Sequence, residues 1–175
     1  LNFNSKDKVF KGSTGYIEDG YSGNNDAVNK IIEIASKNTK TYILAIGAIT
    51  NVAIALKKAP NIVDKIEVIW LGGHSLLSKD KKEFNFKQDI QAVRTVLESK
   101  VNLTIIPCKN VASNLRTSIY ELEHFLKGKS ELCDYLCQRF YNDGIHGIKE
   151  RRALWYFYSA SANSGVGNNV TALEH

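Results

Sequence analysis

The stretch TYILAIGAITNVAIALKKAPNIVDKIEVIWLGG, residues 41 to 73, decides the fold. It opens with TYILAIG, which is apolar at odd and even positions alike and so lacks the alternation of a half-exposed strand. Such a run is expected where a strand is buried on both faces, as in a parallel sheet. AITNVAIALKKAP then sets Val52, Ala53 and Leu56 on one helical face and stops at Pro60. KIEVIWLGG is a second apolar run, broken at Gly72-Gly73. Two strands joined through a helix by short links make a right-handed parallel crossover.

The flanks extend the pattern. Upstream, AVNKIIEIASK brings Ala27, Val28, Ile31, Ile32 and Ala35 to one face of a helix, with Asn25 or Asp26 as N-cap. The polar opening before it, punctuated by Gly12, Gly15, Gly20 and Gly23, reads as loop. Downstream, DIQAVRTVLESK is an amphipathic helix capped by Asp89, and VNLTIIPC is a third buried strand. Three helical patterns close the chain: SIYELEHFLKG, ELCDYLCQRFYN and RRALWYFYSASA. The expected fold is α/β, an open, mainly parallel sheet flanked by helices in a Rossmann-like three-layer arrangement.

Composition narrows the function classes. A chain of 175 residues with 43% apolar and 23% charged side chains can bury a core without disulfides. Three cysteines, Cys108, Cys133 and Cys137, form no disulfide framework, and a reduced cytoplasmic setting follows. Cys133 and Cys137 share a helical face, but no second His or Cys pair completes a zinc site, so they read as small buried apolar residues. No apolar run reaches the roughly 20 residues that span a bilayer, and no secretory leader pattern opens the chain, so no membrane is expected. The net charge of +5 is spread over loops and helix ends, with only Lys79, Lys81 and Lys82 clustered. That is a solvated surface, with no nucleic-acid face.

Parallel sheets bind ligands beyond the carboxyl ends of their strands. Here those ends are Ile46-Gly47, Leu71-Gly72-Gly73 and Pro107-Cys108, with a helix starting near Ala48 that aims free N–H groups into the same crevice. The segment after the double glycine, HSLLSKDKKEFNFKQD, offers Glu83 and Asn85 two residues apart. In an extended segment residues i and i+2 face one side, so this pair can address one ligand while Phe84 packs behind. A carboxylate accepts from hydroxyls and an amide both donates and accepts, a combination suited to a sugar.

AIGAITNVAIALKKAPNIVDKIEVIWLGG followed by EFNFKQDIQAV resembles the nucleoside hydrolases of the inosine-uridine-preferring family, over roughly residues 26 to 108 and more loosely beyond. The resemblance implies hydrolysis of the N-glycosidic bond of a ribonucleoside, giving ribose and free base through an oxocarbenium-like transition state. It implies a calcium ion that activates water, with the backbone carbonyl of Ile46 as one metal ligand. Glu83 and Asn85 would bind the ribose, Leu71 would line its pocket, and the homologous enzymes assemble as homodimers or homotetramers. His74, directly after the glycines, is added as a substrate contact on position alone. Asn51 is expected to brace the turn at the sheet edge.

Three departures from the family pattern stand out. Asp7, Asp19 and Asp26 are isolated, and no aspartate cluster follows a buried strand. SLLSKDKK lacks the family's sugar-binding asparagine, and RRALWYFYSASA has Tyr156 where a metal-binding aspartate belongs. No residue is therefore assigned as catalytic. Residues 1–172 read as one α/β domain, a fragment lacking the first strand, and residues 173–175 as a tag remnant. The segment itself is expected to be inactive. The alternative is a non-catalytic nucleoside- or sugar-binding module of the same fold.

Overall fold

The computed structural model describes residues 8–20, 23–80, 82–142, 152–153 and 171–172. They fall into two compact units. The larger runs to Lys109 and includes residues 171–172, and the smaller begins at Asn110.

In the larger unit, helix α1 (Asp26–Lys37) leads to strand β1 (Thr41–Ala45), helix α2 (Thr50–Lys58), strand β2 (Ile66–Leu71), a short helix α3 (Phe84–Gln88), helix α4 (Ile90–Glu98) and strand β3 (Asn102–Ile106). Strands β1, β2 and β3 are parallel, with Ile43 beside Val68 and Val68 beside Leu103. The expected parallel sheet is therefore present, in the order β3-β2-β1. A two-residue strand β6 (Thr171–Ala172) pairs antiparallel with the outer edge of β1.

The caps explain where the helices begin. Asn25 accepts from the Val28 amide at 2.9 Å and Asp89 from the Ala92 amide at 2.9 Å. Each such cap contributes roughly 1 kcal/mol. Helix α4 ends with Ser99, whose amide returns to Thr95 and Val96, and the next residue, Lys100, turns left-handed at φ 64°. That is the position glycine usually fills after a helix, because a Cβ there is strained. Lys100→Gly is expected to stabilise the fold by about 0.5–1 kcal/mol, read as a raised urea midpoint.

One cluster forms the core. Val28, Ile31 and Ala35 of α1, Val52 to Leu56 of α2, and Ala92, Val93 and Val96 of α4 close over Ile43, Ala45, Val68 and Trp70 of the sheet. The opposite sheet face differs from the sequence expectation of burial on both sides. Along β1 burial alternates, and Tyr42, Leu44 and Ile46 are 45%, 40% and 38% exposed. The run was apolar at both parities, yet among the described residues only one parity is packed under helices.

A second difference concerns residues 83 to 88. The segment is not extended: Glu83 is the N-cap of α3, and Asn85 lies within its first turn. Phe86, rather than Phe84, packs inward, stacking on Trp70 with ring centres 5.8 Å apart. The helix has only five residues, too few to show a period in the sequence.

The smaller unit contains strand β4 (Arg116–Thr117), helix α5 (Ile119–Leu126), helix α6 (Glu131–Asn142) and strand β5 (Arg152–Ala153), with β4 and β5 antiparallel. Ser118 and Glu121 form a reciprocal cap at the start of α5. Of the helical pattern RRALWYFYSASA, Arg152–Ala153 is strand, held by its pairing with β4. Trp155 and Tyr156 lie outside the described residues, as do Asp7, His146 and residues 173–175. Cys137 is buried and Cys133 half-buried, both unpaired. Among the described residues no group of three or more His, Cys, Asp or Glu could hold a metal.

Candidate functional site

The carboxyl ends of β1, β2 and β3 gather the residues singled out from the sequence. The glycines after β2 set the geometry. At Gly72 an added Cβ would lie 2.4 Å from the Trp70 ring, so no larger residue fits while that ring holds its place. Gly73 then turns at φ 73°. The Trp70 indole N–H donates to the Gly47 carbonyl at 2.9 Å, tying the end of β2 to the end of β1.

Glu83 is 3% exposed and accepts three hydrogen bonds from within the fold. Its Oε2 accepts from the Gly73 amide at 3.0 Å and from the Phe86 amide at 2.9 Å, and its Oε1 accepts from the Cys108 thiol at 3.3 Å. The Cys108 amide in turn donates to the Gly73 carbonyl at 3.0 Å. One carboxylate thus joins the ends of β2 and β3 to the start of α3.

Asn85 is 9% exposed. Its Nδ2 donates to the Leu71 carbonyl at 2.8 Å and reaches the Ile46 carbonyl at 3.5 Å. The amide's donor side is spent on main chain, so Asn85 presents its Oδ1, an acceptor. The sequence reading gave this amide a dual donor and acceptor role. The geometry makes the pair acceptors only, because the short helix turns Nδ2 back onto the strand ends. Ile46, Leu71, Glu83 and Asn85 are nonetheless brought together at one rim.

His74 follows Gly73 and is half-buried, and its Nδ1 is buried with no hydrogen-bond partner among the described residues. An orphaned acceptor or donor of this kind costs free energy unless something fills it. Asp80, in the loop after it, is held below the ordinary carboxylate range, first by the Lys82 amide that it caps.

Beneath the rim, Asp89 and Asn51 hold the larger unit's N-terminal loop. Asp89 accepts from the Ile17 amide at 2.9 Å and the Thr50 hydroxyl at 2.7 Å. Asn51 Oδ1 accepts from the Ser13 amide at 2.9 Å and the Ser13 hydroxyl at 2.8 Å, so it braces the loop at Ser13 where the turn at the sheet edge was expected.

Cys108 is the residue that sequence reasoning passed over, except as the last residue of a strand end. Burial first, then the charge of Glu83, push its thiol up from 9.0 to about 12. A raised folded-state value favours the protonated fold, so its contribution is whole below pH 9 and is lost as the pH climbs towards 12. Serine does not titrate in this window. The stability of the wild type relative to Cys108→Ser should therefore fall between pH 9 and 12 in urea unfolding, and parallel curves would refute the assignment.

Calcium takes about six to eight oxygen ligands, usually several of them carboxylates. The described donor set at this rim is the Ile46 carbonyl, already approached by Asn85, with Glu83 committed to amides and a thiol. These residues do not fit a calcium ion.

Comparison with known proteins agrees with the fold. The chain is 27% identical over 133 residues to a probable uridine nucleosidase 1 of Oryza sativa subsp. japonica, covering 69% of this chain and 40% of that protein. A purine-preferring ribonucleoside hydrolase from Gardnerella vaginalis superposes with TM-score 0.58 at 24% identity, over 82% of this chain and 43% of that one. The plant nucleoside hydrolase PpNRh1 superposes with TM-score 0.60 at 20% identity, over 79% of this chain and 47% of that one. The chain thus spans less than half the length of these relatives. A model of the inosine-uridine preferring nucleoside hydrolases matches residues 3–163, nearly the whole chain. With the parallel sheet and its double-glycine rim in place, that match settles the kinship: this chain belongs to the inosine-uridine preferring nucleoside hydrolase family.

Proposed function

We propose that this chain is the ribose-holding part of a hydrolase that cleaves the N-glycosidic bond of ribonucleosides, and that it is inactive as it stands. The observation that carries the reading is the convergence of Glu83, Asn85 and the Ile46 and Leu71 carbonyls at one strand-end rim. A ligand that meets acceptors must bring donors, and the hydroxyls of a sugar do so. The Glu83 carboxylate also places negative charge near a ring that becomes cationic as the bond to the base breaks. Leu71 lines the sugar face, and His74 Nδ1 supplies a further polar contact to the ligand.

Activation of the attacking water is not assigned to the described residues. The family resemblance would give it to calcium, and among the described residues the rim lacks the carboxylates for that ion. Cytoplasmic location and assembly as a dimer or tetramer are part of the same reading. Among the described residues no helix is long and apolar enough to cross a membrane.

D-ribose titrated by NMR should perturb the Glu83 and Asn85 amides. Glu83→Gln should weaken ribose binding about tenfold, the worth of one charge-assisted hydrogen bond. Replacing calcium by a chelator should change the affinity by less than about twofold, since the described residues of the rim offer no metal site. Equal ribose affinity in wild type and Glu83→Gln would overturn the reading. Inosine and uridine should not turn over with or without calcium, and any turnover would refute inactivity. That no metal-ligating carboxylate group is found among the described residues favours a second reading, a non-catalytic nucleoside- or sugar-binding module. A longer protein containing this segment separates the two: nucleoside hydrolysis there supports the enzyme, and ribose binding without hydrolysis supports the module.

A further inference from the structure

A carboxylate offers about four lone-pair sites. Glu83 has three of them filled from within the fold, by the Gly73 amide, the Phe86 amide and the Cys108 thiol. The Phe86 amide belongs to the helix that Glu83 itself caps and the Gly73 amide to the turn after β2, and both are held by Oε2. The third donor comes from β3's end, 25 positions along the chain, and is the one hydrogen bond described at Oε1.

We propose that Cys108 is a positioning residue for Glu83: its thiol occupies Oε1 on one side and leaves a single acceptor site for a sugar hydroxyl. The proposal rests on the ribose reading above and adds how that carboxylate is held. Cys108 does not touch the ligand. Its S–H is a weak donor, which suits the role: it orients the carboxylate without neutralising the charge that the sugar meets. Burial keeps the thiol protonated, so the donor persists through the whole neutral range. Without it, Oε1 has two free acceptor sites, and the carboxylate can rotate away from Gly73 and Phe86.

The test compares wild type, Cys108→Ala, Cys108→Val and Cys108→Ser through two readouts. One is hydrogen exchange at the Gly73 and Phe86 amides, which needs no ligand. The other is the Kd for D-ribose by NMR titration. Alanine should speed exchange at both amides about tenfold and weaken ribose about tenfold, and serine, which restores a donor, should return both to within about threefold. Valine fills the space without a donor and should behave as alanine does, which covers the case in which alanine fails to fold. If either readout is unmoved in the donor-free variants, or serine fails to rescue, the positioning role is refuted while the ribose reading stands. If wild type and Glu83→Gln bind ribose equally, or neither binds, the ribose reading fails and takes this proposal with it.

Discussion

Asp89→Ala will cost about 3–5 kcal/mol in urea unfolding. Asp89 is 1% exposed, and its two oxygens accept from the Ala92 amide, the Ile17 amide and the Thr50 hydroxyl. Alanine leaves three donors without a partner in a region too closed for water to replace all of them, and each such loss costs roughly 1–3 kcal/mol. The same change removes the cap of α4 and frees the loop at Ile17, so the loss is not confined to one element. Asp89→Asn keeps one acceptor oxygen and should lose about half as much. A cost below about 1 kcal/mol for alanine would show that the loop and the two helices are held by other means.

Gly72→Ala is the second large effect, at about 2–4 kcal/mol. The new methyl would sit 2.4 Å from one Trp70 ring atom and 2.6 Å from another. That ring cannot swing clear: it is 1% exposed, stacked on Phe86 and bonded through its N–H to the Gly47 carbonyl. Overpacking at such a site usually costs about 1–3 kcal/mol, and here a buried hydrogen bond is lost as well. Trp70→Phe combined with Gly72→Ala should cost less than the sum of the two single changes, because the smaller ring makes room. Additive costs would mean that the methyl collides with something other than Trp70.

The sheet was legible because its strands are apolar at both parities and its helices carry their start signals in the sequence. Asn25 and Asp89 cap where the side chains suggest. The two-residue strands β4, β5 and β6 were not legible, since no period can show in two residues and only their partners make them strands. At the rim, Glu83 and Asn85 were found, but through likeness to a family rather than by physics alone. What their atoms do was hidden. Asn85 turns its donors inward because Phe84–Gln88 is helical, and Cys108 meets Glu83 only after the sheet has brought β3 alongside β2. Hydrogen-bond accounts of that kind depend on tertiary neighbours, which a linear pattern does not carry.

The bare side of the sheet has a practical consequence. Among the described residues, Tyr42 and Leu44 of β1 and Ile46 just past its end are each more than a third uncovered. Dyes that brighten against greasy protein surfaces are commonly taken as reporters of a loosened, half-folded state. This chain supplies such a surface from an ordered pleat, so fluorescence from those dyes will accompany its native form and says nothing here about lost packing.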